Sequence, residues 1–294
     1  MPSKRTILLA DLGLLYASAI WGVTFLIVKM ALADIDAVTM VAYRFLIAGL
    51  VLLVYVLASK RELLAGMSTG LFLAIILVLL YVPQTAGLKY TTVSNSGFIT
   101  GLFVAFVPIF LRTIFHRKPT LWEWIASAVA LIGLWILTGG LTRVNLGDIL
   151  TLVAAMAYAL HLLYSDKYMK SGFDPYVISC QQFLLVGLIS LIVSLVAGRP
   201  LAVGSTSTAL WVLFLALFPT LSAFVIQMLA QRFTSPLKVS LIFALEPVFA
   251  AVTAWTIGGE LFSMRGAIGG LFIVAALGLS GMPSKLTPDE CPKE

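Results

Sequence analysis

Long apolar runs, separated by short polar or charged clusters, follow one another along the whole chain. Each run has about 18 residues or more, which lets an α-helix cross roughly 30 Å of hydrocarbon. The runs are continuous and do not alternate with polar positions, so helices are favoured over barrel strands. The pattern therefore predicts ten membrane-spanning helices, at 7–29, 37–57, 69–89, 94–115, 121–139, 147–166, 175–197, 208–231, 236–257 and 263–281.

The composition supports a membrane protein. Hydrophobic residues make up 61% of the chain and charged residues 11%, whereas soluble domains carry roughly 25% charged residues. The mean hydropathy is +1.05. The two cysteines, Cys180 and Cys291, fall in a predicted span and in the polar tail, so no disulfide is expected.

The basic residues indicate a topology. A net charge of +6 could suggest nucleic acid as a partner, so the charges must first be sorted by loop. With the N-terminus inside, thirteen of the 19 Lys and Arg fall on one side, five fall on the other, and Arg44 lies within a span. By the positive-inside rule, both termini are expected in the cytoplasm, with the protein in the cell (inner) membrane. No nucleic-acid partner is predicted.

The chain contains an internal repeat. "DLGLLYASAIWG" at 11–22 aligns with "DILTLVAAMAYA" at 148–159, and 35–50 aligns with 173–188. These alignments pair Trp21 with Tyr158. A five-helix unit ends on the side opposite to where it began, so the second copy is inverted, as in many transporters. We predict an all-α membrane protein with repeats at 7–139 and 147–281 and a cytoplasmic tail at 282–294. Chance similarity between apolar segments is the alternative.

Several short motifs carry a family resemblance. An aromatic residue precedes a small one in the first helix of each half ("AIWG" and "MAYA"), and "P-[IV]-F" recurs in each fourth helix. In this order the motifs resemble the EamA family of the drug/metabolite transporter superfamily. "LKYTTVSNSGFITGLFVAFVP" resembles the members that export amino acids, including aromatic ones. The resemblance implies ten helices, efflux of small metabolites and alternating access. "FHRKPT" at 115–120 departs from the family, which often has a pair like Gly259-Glu260 there.

Two charged residues fall within the predicted spans. A charge near the bilayer centre is costly, so it faces protein or water. Glu246 lies near the middle of the ninth run, and its repeat counterpart is Val107. A carboxylate present in one half only suggests a role with substrate or protons, and a structural hydrogen bond is the alternative. Arg44 could pair with Glu246, bind a substrate carboxylate, or extend to the interface.

Other residues within the spans are candidates for a cavity. Trp21 and Tyr158 are expected on opposite walls, stacking on a flat or apolar ligand, with plain helix packing as the alternative. The remaining predicted lining residues are polar side chains within spans, namely Tyr81, Gln84, His161 and Gln227. A satisfied buried histidine is an equal alternative for His161. Prolines within spans are expected to kink their helices, and these are Pro83, Pro108, Pro219 and Pro247.

Transport is the predicted function, with a small-molecule substrate, the lipid bilayer as surroundings, no cofactor and a monomeric state. The alternatives are a channel-like facilitator or a polytopic membrane enzyme. H-E-x-x-H, G-x-S-x-G and Gly-rich phosphate-loop motifs are absent from the sequence, and two histidines and two cysteines make no convincing metal site. The sequence leaves the coupling ion open between proton, sodium and none.

Overall fold

A computed structural model describes residues 3–140, 144–256 and 261–280, which form helices joined by short connections, with no strand among them. The all-α membrane fold predicted from the apolar runs is therefore confirmed. The predicted tail at 282–294, Arg143, Cys291 and the Gly259-Glu260 pair lie outside these ranges.

The helices follow the predicted runs closely. The first half contains α1 (Lys4–Ala31), α2 (Ala37–Ala58), α3 (Met67–Gly87), α4 (Val93–Gly101), α5 (Phe103–Thr113) and α6 (Leu121–Thr138). The second half contains α7 (Leu146–Lys170), α8 (Pro175–Val196), α9 (Thr206–Leu215), a π-helical segment (Ala216–Ser222), α10 (Ala223–Ala230), α11 (Pro236–Phe243), α12 (Glu246–Thr256) and α13 (Met264–Ser280).

Three spans are interrupted. The fourth consists of α4 and α5, the eighth of α9, the π-helical segment and α10, and the ninth of α11 and α12. Within the described ranges, nine apolar segments have at least 18 residues, and α13 has 17. The ends of all ten lie within about four residues of the predicted ones, because the apolar runs set the helix lengths.

The prolines relate to these interruptions in different ways. Pro247 is the second residue of α12. A backbone N–H at this position has no partner within the helix, so proline costs no hydrogen bond there. Pro219 lies in the π-helical segment. Pro83 and Pro108 lie inside α3 and α5, and each of these helices continues past its proline. The break in the fourth span is at Leu102, six residues before Pro108.

The second helices of the two halves, α2 and α8, pack against each other at glycine residues. A Cβ on Gly49 would lie 2.9 Å from the backbone nitrogen of Leu184, and one on Gly187 would lie 2.8 Å from that of Leu46. Only glycine allows α2 and α8 to approach so closely. The two contacts are reciprocal, because the repeat pairs Gly49 with Gly187 and Leu46 with Leu184.

Ion pairs join the two ends of α2 and α8 in the same reciprocal way. Asp36 caps α2 and binds Arg199 at 3.2 Å, from the segment after α8. Asp174 caps α8 and binds Arg61, from the segment after α2. Lys89 adds a second contact to Asp36 at 3.3 Å. Since Asp36 and Asp174, and Arg61 and Arg199, are 138 positions apart, the pairs are related by the repeat.

The last helix of each half forms another reciprocal contact. A Cβ on Gly133 of α6 would lie 2.7 Å from the carbonyl oxygen of Gly269 in α13. A Cβ on Gly269 would lie 2.5 Å from that of Gly133. The α3–α7 contact is equally close, with a Cβ on Gly147 reaching 2.4 Å from the carbonyl oxygen of Gly87. The closest helix crossings thus join the two halves.

We expect Asp36→Asn to lower the free energy of unfolding by about 0.5–1 kcal/mol, the range for partly exposed ion pairs. Asparagine still caps the helix, so only the charge is lost. Partial burial raises the pKa of Asp36, but the N–H of Val38 and the ammonium of Lys89 lower it more. The stabilisation is therefore present above pH about 3.8 and is lost as pH falls through the lowered pKa.

Thermal unfolding of the purified protein in detergent, at neutral pH and with or without added salt, measures this effect. Asp174→Asn is the matched variant at the other end of the helix pair. Salt should reduce both differences, because it screens exposed charges. A loss of stability that persists unchanged at high salt would contradict an electrostatic origin.

Candidate functional site

A cavity that is partly open to solvent lies between the two halves, with about 40 Å³ of space for the centres of water molecules. It is lined by Trp21, Thr24, Phe25, Val28, Arg44, Leu80, Tyr81, Gln84, Thr85, Leu88, Thr100, Tyr158, Phe224 and Glu246. Successive turns toward the ends of α1 and α3 supply many of these side chains. The cavity therefore extends from the middle of the bundle toward the end where α1 and α3 finish and α2 begins.

Six of the eight side chains predicted to line a cavity border this one, and two do not. The six are Trp21, Arg44, Tyr81, Gln84, Tyr158 and Glu246. His161 and Gln227 are fully buried elsewhere in the second half. His161 Nε2 lies 2.7 Å from Gln182 Oε1, and Gln227 Nε2 donates to Gln231 Oε1 at 3.3 Å.

Glu246 is a buried carboxylate at the start of a helix. It is 6% exposed and is the first residue of α12, where the positive end of the helix dipole favours an anion. Among the residues that the structure describes, its side chain has no hydrogen bond or ion pair. A Cβ on Gly22 would lie 2.6 Å from the Glu246 carbonyl oxygen, so α1 holds this end of α12 closely. The carboxylate is available to a ligand.

Arg44 is a buried cation in the same cavity. It is 3% exposed, so it does not extend to the surface, and no described carboxylate lies within ion-pairing distance. Its Nε donates to Thr220 Oγ1 at 2.9 Å. Its Cζ lies 4.8 Å from the centre of the Tyr81 ring, a cation–π contact. Its two terminal nitrogens have no hydrogen bond to any described residue, which leaves one edge of the guanidinium free.

The aromatic side chains contact one another directly. The rings of Trp21 and Tyr158 meet edge to face at 6.1 Å, which differs from the expected arrangement on opposite walls. Trp21 also packs on Phe243 at 4.8 Å, and Tyr158 packs on Phe103 at 4.4 Å. The indole nitrogen of Trp21 donates to the Pro219 carbonyl at 2.7 Å. No flat ligand fits between these rings in this conformation.

Hydroxyl and amide groups complete the lining. The buried hydroxyl of Tyr158 has no hydrogen-bond partner among the described residues. Gln84 Nε2 donates to Thr100 Oγ1 at 2.9 Å, so its amide is oriented from within the first half. In the described part of the chain, no three His, Cys, Asp or Glu side chains lie close enough together to hold a metal ion.

Sequence reasoning missed Thr220 and the carbonyl of Pro219, which hold Arg44 and Trp21. The available signal was a hydroxyl residue directly after a proline within an apolar run. Taken together, the cavity offers a carboxylate, one edge of a guanidinium and a hydroxyl that have no partners among the described residues, in a space lined about equally by polar and apolar groups. A small molecule with a positive and a negative group could satisfy both charges.

The sequence and the fold have known relatives. The pattern of the EamA-like transporter family matches residues 8–139 and 145–282. An uncharacterized transporter of Archaeoglobus fulgidus is 28% identical over 270 residues, covering 92% of this chain and 85% of the relative. The uncharacterized inner membrane transporter YedA of Escherichia coli K12 is 28% identical over 266 residues, covering 87% and 85%.

One solved structure has the same fold, with a TM-score of 0.80 at 16% sequence identity, covering 92% of this chain and 97% of that one. The two matches to the family pattern together span nearly all of the described residues. The family expected from the motifs is thereby confirmed, whereas the names of these relatives state no substrate. The chain belongs to the EamA-like transporter family and is a multi-pass membrane transporter.

Proposed function

We propose that this transporter exports amino acids, neutral and aromatic ones above all, and similar small metabolites across the cell (inner) membrane. Both termini are in the cytoplasm, and two inverted halves open the central cavity alternately to each side. The observation that carries the proposal is that an acidic and a basic side chain, Glu246 and Arg44, are both buried, border one cavity and have no ion-pair partner among the described residues.

Those two charges favour a zwitterionic ligand. A charge in a low-dielectric interior is costly unless it is paired and hydrogen-bonded. The ammonium group of an amino acid can pair with Glu246, and its carboxylate can accept two parallel bonds from the free edge of Arg44. Each charged group would then have a partner only while the ligand is bound. The free hydroxyl of Tyr158 can donate a further bond to such a ligand.

Four other lining residues suit an apolar side chain. Phe25, Val28 and Leu80 provide apolar surface in the cavity, and Phe224 provides an aromatic ring. Burial of apolar ligand surface contributes roughly 25 cal/mol per Å². A neutral amino acid with an aliphatic or aromatic side chain combines this contribution with the two charge contacts. The resemblance of residues 88–108 to amino-acid exporters points the same way.

The proposed direction of transport rests on the family resemblance. The side of the membrane to which the cavity opens is inferred from the charge distribution along the chain. The cavity extends toward the end where α1 and α3 finish. The excess of Lys and Arg lies at the opposite end, which by the positive-inside rule supports an outside location for the cavity opening. This conformation then corresponds to an outward-facing step of an alternating cycle. The reciprocal contacts of α2 with α8 and of α6 with α13 support two equivalent halves.

A panel of amino acids and toxic analogues tests the proposal. Cells that overproduce the protein should tolerate aromatic and neutral analogues better than cells that produce a Glu246→Gln, Arg44→Met double variant at the same level. Release of labelled amino acids from preloaded cells should rise in parallel and should saturate. A panel without any difference would remove amino acids as substrates, and release that does not saturate would favour a channel-like facilitator.

A further inference from the structure

The π-helical segment Ala216–Ser222 interrupts the eighth span beside the cavity. Such segments are rare and are frequently found at functional sites. The hydroxyl of Thr220 donates to the carbonyl of Leu215, five residues earlier, at 2.7 Å. A hydroxyl has one donor and two acceptor sites. The same oxygen therefore accepts the 2.9 Å bond from Arg44 without competition.

This contact fixes the orientation of the guanidinium. The Nε edge is bound to Thr220, and the guanidinium carbon lies 4.8 Å from the centre of the Tyr81 ring. A planar group that is hydrogen-bonded at one edge and packed on an aromatic ring has little freedom to turn. The remaining edge, with the two terminal nitrogens, is the one that can form two parallel bonds to a carboxylate.

The neighbouring residue of the same segment fixes a second cavity side chain. In an α-helix the N–H of Ala223 would bind the carbonyl of Pro219, but here it binds the carbonyls of Phe218 and Thr220. The Pro219 carbonyl instead accepts the bond from the indole of Trp21 at 2.7 Å. Two consecutive residues of one segment thus hold an arginine from α2 and a tryptophan from α1.

We propose that Thr220 is a positioning residue, which holds the free edge of Arg44 toward the cavity and so makes the transporter selective for ligands with a carboxylate. The proposal rests on the proposed function, because it concerns the same ligand. It adds that selectivity depends on a hydroxyl of the π-helical segment, and that the hydroxyl acts through Arg44 without itself contacting the ligand.

Thr220→Val, which keeps the shape and removes the hydroxyl, tests the proposal in proteoliposomes. The KM for labelled phenylalanine should rise about tenfold, the size expected for losing one hydrogen bond to a charged group. Inhibition by phenylalanine amide, which lacks the carboxylate, should stay within about twofold of the original protein. Thr220→Ser should restore the original KM, because it restores the hydroxyl.

Thr253→Val is the matched control. Thr253 donates to the carbonyl of Phe249 at 2.8 Å and does not line the cavity, so its loss should leave both constants unchanged. If Thr220→Val raised the constants for phenylalanine and its amide equally, or only lowered the maximal rate, a positioning role would be wrong.

A second readout does not depend on the substrate. Labelling with butane-2,3-dione, an arginine reagent, should reach the free edge of Arg44 in the original protein and in Thr220→Ser. It should fall severalfold at Arg44 in Thr220→Val, with the exposed Arg199 as internal standard. If the original protein transported no phenylalanine, the proposed substrate would be wrong, and labelling would decide about Thr220. Equal labelling of Arg44 in all variants would overturn the inference.

Discussion

Replacing Glu246 by glutamine is expected to lower transport of a zwitterionic amino acid roughly 30-fold or more, the effect of removing one partner from a buried charge pair. Glutamine keeps the shape and the hydrogen-bonding capacity and removes only the charge. The carboxylate has no partner among the described residues, so folding should not depend on it. Transport per folded molecule in proteoliposomes, together with the melting temperature, measures both effects.

Glu62→Gln is the control for this variant, because Glu62 is an exposed acidic residue between α2 and α3. It should leave transport and stability unchanged. The competing structural role predicts the reverse pattern for Glu246→Gln. Stability would then fall by about 1–3 kcal/mol, as for a lost buried hydrogen bond, while each folded molecule would still transport. A stable variant with full transport would remove Glu246 from the proposed binding site.

Replacing Arg44 by lysine is expected to weaken transport of amino acids about tenfold to a hundredfold. Lysine keeps the positive charge but has no planar fork, so it cannot form two parallel bonds to a carboxylate. It also loses the bond to Thr220 and the contact of the guanidinium with the Tyr81 ring. Measuring KM and maximal rate in proteoliposomes should place most of the loss in KM.

Arg112→Lys is the control for Arg44→Lys, since Arg112 is exposed and lies at the end of α5, away from the cavity lining. Both variants change an arginine to a lysine, so a general effect of the substitution would appear in both. Equal KM values for the Arg44→Lys variant and the original protein would show that the guanidinium does not bind the substrate.

The helices were predictable because each apolar run has the length that a membrane crossing requires. Their interruptions were predictable only in part. The π-helical segment contains Pro219 and α12 begins directly before Pro247, where kinks were expected, but the break in the fourth span at Leu102 has no proline beside it. The π-helical form of the turn at Thr220 also depends on how neighbouring helices bind its side chains. Short-range sequence patterns do not contain those contacts.

The residues that line the cavity were predictable where placing the residue type anywhere else in a membrane span would cost much free energy. Arg44 and Glu246 are charged within spans, and a buried charge must face other protein groups or water. His161 and Gln227 are polar but uncharged, so each can be buried inside the helix bundle with one side-chain hydrogen bond, although His161 Nδ1 and Gln227 Oε1 have no partner among the described residues. The repeat suggested that Trp21 and Tyr158 lie on opposite walls, whereas their rings are in direct contact. The repeat does not determine whether a gap separates them, since that depends on the rotation of each helix.

The seam between α2 and α8 contains several contacts twice, once from each half: Gly49 on Leu184 and Gly187 on Leu46, Asp36 with Arg199 and Asp174 with Arg61. When two equivalent halves trade conformations, each member of such a pair takes the place of the other, and the set as a whole is unchanged. In the proposed alternating cycle, we expect a seam of this kind to stay in place as the axis. We expect contacts that occur once, such as Arg44 with Thr220, to break and re-form at each proposed turnover.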